Sequence, residues 1–190
     1  MKKLSLLGLL FIGAFAIAQG PNLEKDYSKI ESKVVDWRRE IHQNPELGNR
    51  EFKTAEKIAN HLKSLGIEIE TGVAHTGVVG LLKGNKPGKV VALRADIDAL
   101  PVTERNDLPY KSTVTSEFLG EKVGVMHACG HDGHTVMLLG AAKYLTETRN
   151  FKGRVALIFQ PAEEGGGGGR VMCEEGLMDR FGIDEVYGMH

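Results

Sequence analysis

A layered α/β domain, with a central mixed, largely parallel sheet flanked by helices, is the fold this 190-residue chain predicts. Three observations carry that expectation. Apolar residues recur at helical spacing through residues 23–65, and short β-branched or aliphatic runs replace them from residue 67. From residue 134 helical and strand patterns alternate, which is how crossovers between parallel strands read in a sequence.

Leu23, Tyr27, Ile30, Val34, Trp37 and Ile41 step by threes and fours, one apolar face of a single amphipathic helix. Asn44-Pro45 ends it, because the residue before proline is pushed out of the helical region. A second helix is expected over Phe52–Leu65, with Ala55, Ala59 and Leu62 inward and Gly66 placed for a left-handed C-terminal cap. Ile67–Glu70 alternates apolar and acidic residues, as a half-buried strand does. Gly77–Lys83 and Lys89–Ala95 read as two strands of a hairpin, with turn chemistry at Gly84-Asn85-Lys86-Pro87-Gly88. Helical spacing returns at 134–148, Val155–Phe159 reads as a strand covered on both faces, Arg170–Met178 as a helix and Glu185–Met189 as a last strand.

Length suits one ordinary domain. Lys plus Arg (24) nearly balances Asp plus Glu (25), and no basic run interleaved with aromatics is present, which argues against a nucleic-acid partner. Met1-Lys2-Lys3, the apolar stretch Leu4–Ile17 and the small residues of Ala16-Ile17-Ala18 form the pattern of a secretory signal peptide, residues 1–18, cleaved after Ala18. A membrane span needs about 20 apolar residues, and Pro21-Asn22 interrupts before that, so no stable span is expected. The mature part, 19–190, is therefore expected outside the cytoplasm, periplasmic or secreted. In that setting a Cys129–Cys173 disulfide is the plain alternative to a functional thiol. Cys173, on a helical pattern, reads as a half-buried small apolar residue.

In open α/β sheets, working groups gather beyond the carboxyl ends of the strands. Here the run to Ala95 continues into Asp96-Ile97-Asp98, the run to Phe159 into Gln160-Pro161-Ala162-Glu163-Glu164, and the run to Met189 into His190. Met126-His127-Ala128-Cys129-Gly130-His131-Asp132-Gly133-His134 precedes the 134–148 helix and so falls at the same edge. A thiolate, a neutral imidazole, a carboxylate and a second imidazole make a donor set for zinc, cobalt, nickel or manganese rather than calcium. Side chains of adjacent extended residues point to opposite faces, so one of Glu163 and Glu164 is expected to ligate while the other handles protons as general base. Asp96 and Asp98 are read either as bridging ligands or as groups holding an imidazole by its other nitrogen; the second role is favoured, above all for Asp98. Arg94 is their charge partner. The run Gly165–Gly169 lacks the Lys-Ser or Lys-Thr of a phosphate loop, and is expected instead to leave a loose, side-chain-free approach near Glu163. Neither Gly-x-Ser-x-Gly nor His-Glu-x-x-His occurs.

Taken together, Arg38–Leu47, Leu93–Pro101, Met126–His134, Phe159–Glu164 and Gly188-Met189-His190 resemble the metal-dependent amidohydrolases and exopeptidases that include hippurate hydrolase, N-acyl-amino-acid amidohydrolases and auxin-conjugate hydrolases. The resemblance implies a two-metal site with Cys129, His131, Glu164 and His190 as ligands and Glu163 as general base. It implies two divalent ions (Mn, Zn, Co or Ni) and hydrolysis of the amide bond of a small N-acyl amino acid or peptide by an activated water. It also implies that the chain corresponds to an N-terminal part, with a lid domain and a last histidine ligand lying beyond residue 190, and it leaves a homodimer open. A dipeptidase or carboxypeptidase of the same superfamily, or a secreted non-catalytic metal-binding module, is the competing expectation.

Overall fold

The first apolar stripe folds as two helices, α1 (Leu23–Ser28) and α2 (Glu31–Gln43), in a computed structural model that describes residues 23–190. The expected leader, 1–18, lies outside the described residues. A single helix was the expectation; three-residue turns Lys29 N–Asp26 O (3.3 Å) and Ile30 N–Tyr27 O (2.9 Å) tighten the chain instead, and a Lys29–Asp26 ion pair closes the same turn. The stripe still does its work, since Ile30, Val34 and Ile41 pack on Val136. Asn44 ends α2 by donating its side-chain amide to Glu40 O at 2.8 Å, and Pro45 follows.

Helix α3 (Phe52–Ser64) closes as its sequence predicts. Gly66 sits at φ +71, its N–H bonds Lys63 O, and Ile67 N reaches back to Leu62 O at 3.1 Å, the two bonds of a Schellman cap. Then come β1 (Glu68–Val73), β2 (Gly77–Lys83) and β3 (Lys86–Asp96), a two-stranded ribbon β4 (Thr115–Phe118) and β5 (Glu121–Gly124), helix α4 (His131–Thr148), β6 (Lys152–Gln160), helices α5 (Gly168–Glu174) and α6 (Leu177–Phe181), and β7 (Glu185–Gly188).

The main sheet runs β1-β2-β6-β3-β7. Pairings β1–β2 and β2–β6 are antiparallel, and β6–β3 and β3–β7 are parallel. A mixed sheet was expected, but the β2–β3 hairpin is not formed: β6 lies between those two strands. Gly84 N donates to Gly153 O (2.9 Å) and Asn85 N to Phe151 O (3.1 Å), so the glycine-rich link bonds to the start of β6 instead of closing a hairpin. A side chain at Gly84 would stand 2.3 Å from the Phe151 carbonyl oxygen, which is why the turn residues are where they are.

Along β6, Leu157 and Phe159 enter one core with Ile58, Leu62, Leu138 and Leu139, while Ala156 and Ile158 enter the other with Met172, Leu177 and Ile183. Helices cover both faces, which accounts for the continuous apolar run. The expected helix Arg170–Met178 is broken at Gly176, φ +78, into α5 and α6. Cys173 is exposed, not half-buried, and both it and Cys129 are free thiols, so the disulfide alternative is not realised. Among the described residues no helix is long and apolar enough to cross a membrane.

Candidate metal centre

Because β6, β3 and β7 are parallel, their carboxyl ends share one edge, and each delivers polar side chains there: Gln160 to Glu164 after β6, Asp96 and Asp98 at the end of β3, and His190 after β7. The cysteine loop is brought to that edge by a two-way backbone bridge between Leu100 and Met126 (3.0 and 3.1 Å). Gly130, at φ +116, then starts α4. That left-handed turn places Cys129 outside the helix and His131 in its first turn.

His131 is the hub. Its Nδ1 donates to the Asp98 carbonyl at 2.8 Å, and an Asp98 carboxylate oxygen stands 3.2 Å from the same nitrogen. In the neutral ring Nε2 therefore carries the free lone pair. Nε2 is buried without a hydrogen-bond partner, yet Asp96 Oδ1 and Glu163 Oε2 lie 3.6 Å away and Glu164 Oε1 3.8 Å. His190 Nε2 completes the ring, 3.6 Å from Asp96 Oδ2, 3.7 Å from Glu163 Oε2 and 3.9 Å from Cys129 Sγ. Ligand-type atoms of Asp96, His131, Glu163 and His190 all fall within 4.8 Å of one another, and so do those of Cys129, His131 and His190. A buried, unpaired imidazole nitrogen facing several carboxylate oxygens is a costly arrangement alone, and one that a divalent cation would satisfy. Six ligand-type side chains meet here, Asp96, Cys129, His131, Glu163, Glu164 and His190, more than the four one tetrahedral ion takes, so the donors fit a pair of cations of the zinc, manganese, cobalt or nickel kind.

The surroundings hold the donors in place. Arg94 Nη1 bonds Asp96 Oδ2 at 2.7 Å and its Nε bonds Gln160 at 2.9 Å. Burial disfavours a charged His131, but its bond to Asp98 and the nearby Asp96 charge outweigh it and raise its pKa. Burial likewise pushes the Asp98 carboxyl up, and His131 with the Glu164 and Glu163 backbone amides brings it below the ordinary carboxylate range. The Cys129 thiol is raised by burial and then by the nearby Glu164 carboxylate.

Each side chain singled out in the sequence (Cys129, His131, Glu163, Glu164, His190, Asp96 and Asp98) stands at this edge. Asp98 lies behind His131, on its other nitrogen, whereas Asp96 stands among the ligand-type atoms themselves. Both adjacent glutamates converge on His131 Nε2, where extended backbone would have sent them apart. The glycine run is open at Gly165, where a side chain would meet nothing within 4 Å, and tight after it: side chains at Gly166 and Gly168 would meet Ala162 Cβ at 2.6 Å and Pro161 O at 1.9 Å. Gly166 and Gly168 pack the turn down and lead into α5.

Three neighbours lay inside segments that the sequence marked but were assigned no role there. His134, one helical turn after His131 and thus on the same face, bonds Asp96 Oδ1 through Nδ1 at 2.7 Å. His42 is held between Asp132 Oδ2 (2.9 Å) and Glu104 Oε1 (3.0 Å), and Arg38 also bonds Asp132 at 3.0 Å. Next to them His127 has neither ring nitrogen bonded, and burial lowers its pKa to about 4. The i,i+3 spacing of His131 and His134 was a readable signal; long-range partners of His42 left none.

The fold and the donor set define a class: an α/β domain carrying a candidate two-cation centre at the carboxyl edge of its sheet. The chain belongs to Peptidase family M20/M25/M40, whose pattern its residues 92–190 match. It is 48% identical over 169 residues to a hippurate hydrolase of Campylobacter jejuni, covering 89% of this chain and 42% of that protein. It is 50% identical over 172 residues to thermostable carboxypeptidase 2 of Saccharolobus solfataricus, covering 88% and 41%. A Bacillus subtilis dinuclear metal-binding peptidase of the M20 family superimposes with a TM-score of 0.77 at 41% identity, over 86% of this chain and 44% of that one. The chain thus spans well under half the length of these relatives.

Proposed function

We propose that this chain is the metal-binding part of a hydrolase that cleaves the amide bond of small N-acyl amino acids. One observation carries the reading: the buried, unpaired Nε2 of His131, ringed by Asp96, Glu163, Glu164 and His190 with the Cys129 thiol alongside. Cys129, His131, Glu164 and His190 would hold two divalent ions, and this mixed set of thiolate, imidazoles and carboxylate suits zinc, cobalt, nickel or manganese better than calcium. When bound, such ions polarise an amide carbonyl and acidify a water.

The rest falls to the protein. Glu163, part-exposed at the rim, takes the proton from the attacking water and returns it to the leaving nitrogen. Asp98 fixes the ring of His131 so that Nε2 is left to ligate, and Arg94 holds Asp96 in place beside it; these are the groups that would keep the ligands oriented when ions are bound. The names of relatives support acyl-amide substrates: besides the hippurate hydrolase, an N-acetyl-L-cysteine deacetylase of Bacillus subtilis is 46% identical over 164 residues. The carboxypeptidases keep a second reading, cleavage of peptides, in play.

In the complete protein, Glu163→Gln should bind Mn²⁺ or Zn²⁺ as the parent does and hydrolyse hippurate about 10²–10⁴-fold more slowly. Unimpaired turnover would refute Glu163 as the base. Metal uptake with no hydrolysis by either form would favour a metal-binding module. Comparing N-acetyl and N-benzoyl amino acids with free dipeptides separates the two substrate classes. We also read residues 1–18 as an export signal, so the mature protein should start at Gln19 and fractionate outside the cytoplasm.

A further inference from the structure

Glu51, at the start of α3, is wholly buried and far in sequence from the centre, yet it grips the loop that carries Glu163 and Glu164. One carboxylate oxygen accepts the Ala162 backbone N–H at 2.8 Å, and the other accepts the Thr76 hydroxyl at 2.6 Å. Ala162 is itself fully buried and has φ +49, the left-handed region that costs an alanine steric strain. Its carbonyl accepts Gly168 N at 3.2 Å, Gly48 and Gly166 leave room around it, and two residues on Asp98 Oδ2 accepts Glu164 N at 3.0 Å. The turn is thus pinned by a carboxylate at each end.

We propose that Glu51 is a positioning residue that holds Ala162 left-handed, and that this turn makes two successive glutamates face the same metal centre. Without it the backbone would relax toward an extended path and send Glu163 and Glu164 to opposite sides. The Ala162 N–H is a fixed donor that an apolar side chain at residue 51 would leave buried and unpaired, whereas a glutamine could still serve, because the Thr76 hydroxyl can accept as well as donate. The inference rests on the reading of Glu163 and Glu164 as base and ligand.

Titrating the whole chain with Co²⁺ tests it, since cobalt reports affinity, thiolate ligation and coordination geometry in its absorption bands. The wild-type titration tests the metal reading by itself: no Co²⁺ uptake by the parent chain overturns that reading and this inference with it. Given uptake, Glu51→Met, which removes both acceptor oxygens at similar volume, should weaken Co²⁺ binding about 10–100-fold, as loss of groups that orient ligands does, and alter the d–d bands. Ala162→Gly, which relieves the left-handed strain, should change binding little alone and recover much of the loss in the Glu51→Met background. Thr76→Val removes only the hydroxyl that fixes the second oxygen, and should give a smaller loss in the same direction even if Glu51→Met does not fold. Wild-type affinity and bands in Glu51→Met overturn the proposal. A loss that tracks the melting temperature, with unchanged bands and no relief from Ala162→Gly, assigns Glu51 to packing alone and overturns it as well.

Discussion

Replacing His42 by alanine strips the shared partner from two buried carboxylates. Asp132 and Glu104 each have side chains only 1% exposed, and His42 bridges them at 2.9 and 3.0 Å. Removing one partner of a buried ion pair costs about 3–5 kcal/mol. Neither acid is left quite alone, because Arg38 stays on Asp132 and the Ser112 N–H and Asn106 amide stay on Glu104 at 2.6 Å each. The low end, about 3 kcal/mol, is therefore expected, and for a domain of this size that is a melting shift of about 6–12 °C.

The pH dependence gives the test its shape. Burial works against charge on His42, but the bonds to Glu104 and Asp132 prevail and raise its pKa. Its stabilisation is complete below the ordinary histidine value and fades as pH rises through the raised one. Burial pushes both acids up; for Glu104 the His42 and Ser112 bonds, and for Asp132 the charge of His127 with the His42 bond, bring them below their ordinary values. Their share is complete above about pH 4 and is lost as pH falls through the lowered values. Scanning calorimetry of metal-free parent and His42→Ala should show the largest gap at about pH 5–6.5, narrowing on both sides. A gap under about 2 °C at pH 6, or one that keeps widening to pH 9, would refute the reasoning.

Metal binding must displace protons from the raised Cys129 thiol and the raised His131 imidazolium, so apparent Zn²⁺ affinity should climb between about pH 6 and 9, roughly tenfold per unit for each proton released. Competition against a chelator across that range measures it; a flat profile excludes those two ligands. Gly168→Ala would put a methyl 1.9 Å from the Pro161 carbonyl oxygen and should cost about 1–3 kcal/mol in urea unfolding, whereas an unchanged midpoint would mean the turn has room.

Periodicity and turn chemistry located nearly every strand and helix, because the two-sided burial of β6 and the cap at Gly66 are local consequences of local residues. Pairing was not local. Gly84–Gly88 has the composition of a hairpin turn, and only the later arrival of β6 decides that β2 and β3 stand apart. The short ribbon β4–β5 escaped for the opposite reason: four-residue strands around Leu119-Gly120 are too short to show a period. Within the centre, residue types and strand ends pointed to the right edge, but Glu163 and Glu164 lie in a turn that follows the left-handed Ala162, not on extended backbone, and no spacing reveals that. Likewise, the sequence marks His42 only as a helix residue near a proline; the acids that hold it lie 62 and 90 positions away.

The central place of β6 has a consequence for biosynthesis. As the polypeptide leaves the ribosome, β2 and β3 emerge early and neither can be joined to the other. Strand β2, paired only to β1, keeps one bare amide edge until residues 152–160 thread between the two, and β3 keeps both edges bare until then. Such late, distant pairing is slow and prone to intermolecular sticking, so nascent chains stalled short of residue 160 should be the ones that chaperones bind and proteases clear.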